Sequence, residues 1–203
     1  MKIFDFRKKN NGFTLVEIVS ALVLVTIVTG MAGVGIYAFF YKFKELLELS
    51  EFTEKAYSLV EDLKYGKTFS QGAETEFLGI ANAVSISLSD FSNVEGYYRT
   101  ITCKPPAFET FHKNDYIRYY FDTSTNSIRM NSLRGFTSQS NVKIFPSKEF
   151  LDTAVVKKFG FKYIGESQKI VSLEFESEIT LSKDPELPKR KAIRFSTIIS
   201  LAE

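Results

Sequence analysis

Glu17 is the residue of this chain whose position most clearly asks for a chemical explanation. It ends the hexapeptide GFTLVE, which begins at Gly12, and residues 18–41 after it contain no charged side chain. An ionised carboxylate at the head of a membrane-length apolar segment is costly to bury, so it needs a functional reason. The leader before the hexapeptide is basic, with Lys2, Arg7, Lys8 and Lys9 against the single acid Asp5.

The basic leader, the hexapeptide and the apolar run, in that order, resemble the processing site of type IV prepilins and type II secretion pseudopilins. In that family a dedicated inner-membrane peptidase cuts after the glycine and methylates the new N-terminus. The resemblance implies removal of residues 1–12 by cleavage between Gly12 and Phe13, with N-methylation of Phe13. Glu17 matches the family's glutamate at the fifth mature position. The strong match covers residues 7 to about 41.

The resemblance also implies an assembly role for Glu17. Cleavage would create a positive amine on Phe13, and residues four apart in one helix share a face. In the family, this carboxylate is thought to pair with the amine of a neighbouring subunit as a helix enters the filament. Apolar packing is non-directional and sets axial register poorly, whereas one buried charge pair sets it well.

Residues 18–41 are long enough to cross a membrane as a helix. At about 1.5 Å per residue they span about 36 Å, against a bilayer core of about 30 Å. The basic leader predicts a cytoplasmic N-terminus and a C-terminal domain outside, as a single-pass protein of the bacterial inner membrane. A secretory signal peptide fits less well, because its apolar core stops after about 7–15 residues. A plain signal anchor leaves Glu17 without a role.

Gly30, Gly33 and Gly35 lie in the apolar run and have two compatible interpretations. Small residues allow close helix–helix approach in membranes. Glycine also weakens a helix by about 1 kcal/mol relative to alanine, so this cluster is the place where the helix would loosen on assembly. The family's major pilins often have a proline near this depth, whereas this chain has none between Met1 and Lys104.

From Lys42 the pattern becomes periodic, with apolar residues three and four apart and charges between them. This predicts an amphipathic helix over residues 42–66 that stops at Gly66. One continuous helix from about Thr14 to Tyr65 follows, whose second half offers an apolar stripe to a sheet. The stripe consists of Phe43, Leu46, Leu47, Leu49, Phe52, Ala56, Tyr57, Leu59, Val60 and Leu63.

The rest of the chain, residues 67–203, is mainly strand-forming. The predicted strands are 83–88, 97–103, 115–121, 127–133, 142–145, 154–164, 169–181 and 192–201. Segment 154–164 is predicted as a strand or a strand pair, and residues 182–191 as an exposed loop with two prolines. The predicted fold class is therefore α+β, with a long N-terminal helix packed on an antiparallel β-sheet. This is also the pilin-like architecture that the resemblance implies.

Composition excludes several functions. The formal net charge is +2, and removing the leader's three excess positive charges leaves about −1, so bulk charge does not argue for nucleic acid. The single cysteine, Cys103, excludes an intramolecular disulfide and a cysteine-based metal site, and is predicted to be a half-buried strand residue. The single histidine, His112, has no catalytic or ligand partners at a motif spacing. We therefore predict no enzyme activity, no catalytic residue, no metal and no cofactor.

Two charged groups have alternative interpretations. Glu174, Glu176 and Glu178 fall on one face of a strand, which favours a solvated face. Calcium binding is the alternative, since some pseudopilins bind calcium in loops, but loop carbonyl and Asp/Asn ligands are missing. The basic cluster of Lys183, Lys189, Arg190 and Lys191 favours a charged hairpin tip, and DNA contact is the alternative if the chain serves a competence pilus.

Segments after the helix resemble one subgroup, the larger minor pilins and J-type minor pseudopilins. They are DYIRYYFDTSTNSIRMNSLRG, VSLEFESEITL and a terminal strand ending ISL. The resemblance implies a structural subunit that primes or caps a filament. Its partners would be other pilin or pseudopilin subunits, the prepilin peptidase, the inner-membrane assembly platform and membrane lipid. The alternative is a membrane-anchored extracytoplasmic binding domain that does not polymerise.

Overall fold

The computed structural model describes residues 14–68, 76–105, 115–134, 137–166, 168–181 and 189–201. It forms two compact units that divide between Leu46 and Leu47. The predicted leader, Phe13, His112 and Lys183 lie outside the described residues, as do residues 182–188 of the predicted loop.

The long helix, α1, spans Leu15–Tyr65, within one residue of the predicted start and at the predicted end. It stops because Gly66 has a φ of 86°, a left-handed conformation that glycine adopts without steric cost. Asn82 then caps the helix end, because its Nδ2 donates to the Tyr65 carbonyl at 2.9 Å. Asn82 belongs to a short 3-10 helix, Ile80–Asn82.

Gly79 makes this close approach to the helix end possible. A Cβ atom added at Gly79 would collide with backbone atoms of Lys64, Tyr65 and Gly66. These are backbone atoms at the end of α1 and directly after it, so they cannot move aside as a flexible side chain could. The residue at position 79 therefore has to be glycine for the chain to turn back under the helix.

Within the described residues the chain forms ten strands. They are β1 Gly66–Thr68, β2 Glu76–Leu78, β3 Ser85–Phe91, β4 Tyr98–Lys104, β5 Tyr116–Asp122, β6 Ser127–Arg134, β7 Thr137–Phe145, β8 Ala154–Tyr163, β9 Ile170–Thr180 and β10 Arg190–Ser200. Eight form one antiparallel sheet in the order β10-β9-β8-β4-β5-β6-β7, with β3 also paired to β4. The first two form a separate pair.

The predicted α+β class, a long helix on an antiparallel sheet, is confirmed, and each predicted strand matches one of β3 to β10. Several details differ. β10 begins at Arg190, so Arg190 and Lys191 pair with β9 and do not belong to the predicted loop 182–191. The strand predicted at 142–145 starts earlier, at Thr137, although it ends before Pro146 as predicted. Segment 154–164 is a single strand, β8. The β1–β2 pair was not predicted, because a three-residue strand carries no readable periodicity.

The sheet forks at β4. The β4–β5 ladder runs from Cys103–Ile117 to Thr100–Tyr120. Two residues further back along β4, Tyr98 pairs instead with Phe161 of β8. Beyond the fork, the turn after β5 is joined to β8, because the Val156 N–H donates to the Asn126 carbonyl at 3.1 Å. The fork therefore leaves a wedge between the end of β5 and the start of β4.

The core lies between the second part of α1 and one face of the sheet. Phe52, Ala56, Leu59, Val60 and Leu63 are buried at the three- and four-residue spacing of a helix face. The buried stripe is shorter than predicted. Of the other residues assigned to it, Leu49 is partly buried, whereas Phe43, Leu46, Leu47 and Tyr57 are 49%, 63%, 53% and 56% exposed.

Aromatic rings join the helix to the sheet. The Phe52 ring lies 5.7 Å from the Phe145 ring and 5.3 Å from the Phe150 ring, measured between centroids. Phe145 in turn meets Phe175 of β9 edge to face at 5.3 Å. Edge-to-face ring pairs add about 0.5–1.5 kcal/mol each to the area they bury. Phe52 therefore contacts β7 through Phe145, and Phe145 continues the aromatic contact to β9.

Candidate functional site

The first turn of α1 is closed by a reciprocal pair of hydrogen bonds between Thr14 and Glu17. The Thr14 backbone N–H donates to Glu17 Oε2 at 2.8 Å, and the Glu17 backbone N–H donates to Thr14 Oγ1 at 3.3 Å. The Thr14 hydroxyl also donates to Glu17 Oε2, at 3.0 Å. This arrangement is a capping box, which satisfies two of the helix's unpaired N–H groups.

Sequence reasoning assigned Glu17 to the site but missed Thr14. The signal was present, because threonine followed three residues later by glutamate is the capping-box spacing. The box engages one of the two oxygens of the Glu17 carboxylate. All of the hydrogen bonds that the Glu17 carboxylate accepts within the described residues go to Oε2. Its other oxygen, Oε1, is therefore open to a donor from outside this part of the chain.

The first unit presents an almost wholly apolar helix surface. Side chains from Leu15 to Phe43 are exposed all around the helix, for example Leu15 at 78%, Met31 at 72% and Tyr37 at 74%. Among the described residues, α1 is the one helix that is long and apolar enough to cross a membrane by length and composition. Such a surface is unfavourable in water and is compatible with a single-pass membrane anchor.

The predicted glycine positions lie on this helix within an unbroken α-helical segment. A Cβ atom added at Gly30, Gly33 or Gly35 would meet no atom within 4 Å. Gly30 and Gly33 are three apart and share a face, whereas Gly35 lies on the other side of the helix. The nearby hydroxyls are satisfied inside the helix, since Thr26 donates to the Leu22 carbonyl at 2.8 Å. Loosening at the glycines stays a prediction.

The predicted row of acids lies on β9, and two of its three members, Glu176 and Glu178, form ion pairs. Glu176 Oε2 lies 3.3 Å from Lys158 Nζ of β8 and 3.1 Å from Arg194 Nε of β10. Glu178 Oε1 lies 3.5 Å from Arg190 Nε, a member of the predicted basic cluster. Glu176 therefore links β9 to both β8 and β10, and Glu178 pairs with one member of the basic cluster. In the described part of the chain, no group of three or more His, Cys, Asp or Glu could hold a metal ion.

Cys103 lies on β4 as predicted, but it is fully buried and not half-buried. Burial raises the pKa of its thiol to about 12. A thiol at this depth stays protonated and is shielded from oxidants and partner thiols. Its role is to fill the core between the helix and the sheet.

A model of the prokaryotic N-terminal methylation motif matches residues 7–33. The matched segment includes the end of the basic leader, the whole hexapeptide and two of the three glycines. No curated protein and no solved structure matches the chain. The motif implies processing by a prepilin peptidase and interaction with other pilin subunits. Together with the apolar helix, it indicates a type IV pilin-like precursor.

Proposed function

We propose that this chain is a structural minor subunit, a minor pilin or pseudopilin, of a type IV pilus-like filament, and that it is not an enzyme. The observation that carries the proposal is the order of basic leader, hexapeptide and exposed apolar helix, matched by the methylation-motif model over residues 7–33. In this proposal the prepilin peptidase cuts between Gly12 and Phe13 and Phe13 is N-methylated. Residues 13–41 then form the membrane and filament-core half of the helix.

The capping box supports an assembly role for Glu17. Before assembly, Oε2 is held by the first turn of the same helix, which reduces the cost of placing the carboxylate in a membrane. That cost is about 2.5–3.5 kcal/mol at the bilayer centre for an acidic side chain. Oε1 accepts a hydrogen bond from the N-terminal amine of a neighbouring subunit when the helix enters the filament. The charge pair then sets the axial register of the incoming subunit.

The exposed helix surface supports assembly through helix packing. Thr26, Gly30 and Gly33 are spaced four and three apart, so they form one small-residue face. Such faces allow neighbouring helices in a membrane or filament to approach closely. Gly35 lies on another side and is the position at which we expect local loosening of the helix to be least costly.

In this proposal residues 42–66 lead out of the membrane and residues 67–203 form the pilin-like domain outside the cytoplasm. The positive leader sets this orientation. The subunit is held in the inner membrane by lipid until the assembly platform moves it into a pilus or pseudopilus. The larger domain and single cysteine favour a minor subunit that primes or caps the filament. DNA is a partner only if the filament is a competence pilus.

Mass spectrometry of the protein produced together with a prepilin peptidase tests the processing step. The expected mature chain begins at N-methyl-Phe13. Production with a catalytically inactive peptidase is the control and should leave Met1 in place. An intact Met1 in the presence of active peptidase, or a cut between residues 32 and 35, would overturn the proposal.

The non-polymerising alternative predicts a different outcome in an assembly experiment. A membrane-anchored binding domain would be recovered with the membrane and would be absent from sheared filaments. A pilin-like subunit should cross-link through its helix to another pilin and should be recovered in the filament fraction. Recovery only in the membrane, with processing intact, would favour the alternative.

A further inference from the structure

The sheet contains a polar cavity at the fork in β4. Its volume is about 340 Å³, and its lining includes Asp90, Arg99, Arg118, Tyr120, Asp122 and Asn131. The cavity lies where β4 leaves β5, next to the last β4–β5 pair, Thr100–Tyr120. All of its lining residues belong to the second unit.

Two arginines line this cavity, and neither has an acidic partner in the described part of the chain. Arg99 makes no ion pair and no side-chain hydrogen bond to any described residue. Arg118 uses one nitrogen, since its Nε donates to Thr102 Oγ1 at 3.2 Å, and its guanidinium carbon lies 5.5 Å from the centre of the Tyr116 ring. The terminal nitrogens of Arg118 have no acceptor among the described residues, so two fork-shaped donor groups remain available.

The acids in the same cavity are already engaged. Asp122 Oδ1 accepts from the backbone N–H and hydroxyl of Ser124 at 3.0 and 2.6 Å. Its Oδ2 accepts from Thr125 Oγ1 at 2.8 Å and lies 3.0 Å from Arg129 Nε. Because Arg129 offsets the charge of Asp122, this acid neither neutralises Arg99 nor remains free to bind a cation.

Asp90 is held in a similar way. Its Oδ2 accepts from Thr100 Oγ1 at 3.0 Å and from Ser89 Oγ at 3.3 Å. Its φ of 58° is left-handed, which aspartate tolerates better than most residues. With Asp122 offset by Arg129, the lining contains one remaining acid and two arginines, so it carries an excess of positive charge.

We propose that this cavity binds the phosphate group of a small molecule. Guanidinium groups bind phosphate oxygens through two parallel N–H bonds, and two such groups on neighbouring strands can clamp one phosphate. The cavity volume of about 340 Å³ is well above the volume of about 30 Å³ that one water molecule occupies in the liquid, so the cavity has room for more than a small ion. The space beside the phosphate therefore admits an organic group of roughly sugar size.

Isothermal titration of the full chain in maltoside micelles tests this site, since that detergent carries no phosphate. Inorganic phosphate is the probe, at low ionic strength and at matched concentrations of sodium chloride. We expect saturable binding that Arg99→Gln and Arg118→Gln each weaken about tenfold, the effect of losing about 1.4 kcal/mol. Arg194→Gln is the matched control, because Arg194 is already paired with Glu176, and should bind as the wild type does.

A variant that removes the negative charge of Asp90 distinguishes this proposal from a cation site in the same cavity. Asp90→Asn keeps an acceptor for Thr100 and removes the one acid that opposes the two arginines, so it should tighten phosphate binding. Calcium binding that Asp90→Asn abolishes would overturn the proposal. So would equal phosphate binding by the wild type and the Arg99→Gln/Arg118→Gln double variant.

Folding is checked by far-ultraviolet circular dichroism for every variant. If a glutamine variant loses the wild-type spectrum, Arg99→Lys and Arg118→Lys replace it. These variants keep the charge but lose the planar fork, so we expect weaker binding with the same stoichiometry. Lysine variants that bind as tightly as the wild type would overturn the proposed clamp. Glycerol 3-phosphate is then compared with inorganic phosphate. Tighter binding of the ester would show that its organic group occupies the space beside the phosphate.

Discussion

Thr14 and Glu17 hold each other at the first turn of α1, with the Thr14 N–H 2.8 Å from Glu17 Oε2 and the Glu17 N–H 3.3 Å from Thr14 Oγ1. The pair gives one carboxylate two separable properties. One of its oxygens, Oε2, accepts hydrogen bonds from its own helix. In the proposed function its charge pairs with the N-terminal amine of a second helix. Substitutions that remove one property and keep the other therefore test the two roles independently.

Glu17→Gln keeps an acceptor oxygen for Thr14 but removes the charge. We expect normal processing and a normal helix start, with loss of the subunit from the filament fraction, because no charge pair sets its register. Thr14→Ala is the complementary variant. It keeps the charge and should cost about 1 kcal/mol at the helix start while the subunit still assembles.

The measurement for both variants is the amount of subunit in sheared filaments by immunoblot, normalised to the amount of mature chain. Equal recovery of Glu17→Gln and the wild type would show that the charge is not required. If only the Thr14→Ala variant were missing from the filament fraction, helix capping and not the charge of Glu17 would be what assembly requires.

Phe52→Ala should be among the most destabilising changes in the domain. Phe52 is fully buried and contacts the rings of both Phe145 and Phe150. Truncation of a buried phenylalanine costs about 3–5 kcal/mol, because it loses apolar burial and leaves a cavity. Phe43→Ala is the control on the same helix, since Phe43 is 49% exposed. Thermal unfolding of the second unit, followed by circular dichroism in micelles, should show a large shift for Phe52→Ala only.

The thiol of Cys103 should be inert in the folded protein and reactive after unfolding. Burial raises its pKa from an ordinary value of 9.0 to about 12. Maleimide at pH 8 should therefore label the native chain slowly and the urea-unfolded chain quickly. Ser89→Cys, placed in a Cys103→Ala background, supplies an exposed strand thiol for comparison and should label quickly in both states.

The same pKa shift makes stability depend on alkaline pH. Between pH 9 and about 12 the unfolded thiol has lost its proton while the folded thiol still holds it. The stability contribution of the protonated thiol is therefore complete below pH 9 and is lost as pH rises toward 12. Its slope is at most about 1.4 kcal/mol per pH unit. Cys103→Ala should make the stability curve less steep in this range, and an unchanged slope would contradict the assignment.

Asp122→Asn should weaken the β5–β6 hairpin at neutral pH. Hydrogen bonds from the Ser124 and Thr125 side chains, helped by Arg129, lower the pKa of Asp122 to about 2. The stability that this carboxylate contributes is present above its ordinary pKa of 3.8 and is lost as pH falls toward 2. Because the group is near the surface, we expect about 1 kcal/mol.

Urea unfolding at pH 7 and at pH 2 measures this effect. The difference between the wild type and Asp122→Asn should shrink at the lower pH, because the wild-type carboxylate is then partly protonated. Asp152→Asn, at an exposed turn, is the control and should differ little from the wild type at either pH. A difference that grows toward pH 2 would contradict the predicted sign.

Local patterns predicted most of the elements. The helix end at Gly66 and the alternation of β9 are properties of short stretches, in which glycine permits a left-handed residue and every second side chain is buried. The predicted extent of the buried stripe on α1 was wrong, because Phe43 lies nine residues before Phe52, which is about two and a half helical turns. Phe43 is therefore on the opposite side of the helix from Phe52 and is exposed. The Thr14–Glu17 box was readable from spacing alone but was missed.

The sequence by itself determined that a basic leader, the hexapeptide GFTLVE and an uncharged apolar segment follow one another, because charge and hydropathy are properties of the chain before it folds. Only the tertiary structure decided where β4 leaves β5 for β8. That choice rests on contacts between residues far apart in sequence, such as Tyr98 with Phe161. The fork brings Arg99 and Arg118 to one cavity, a juxtaposition that no spacing along the chain contains.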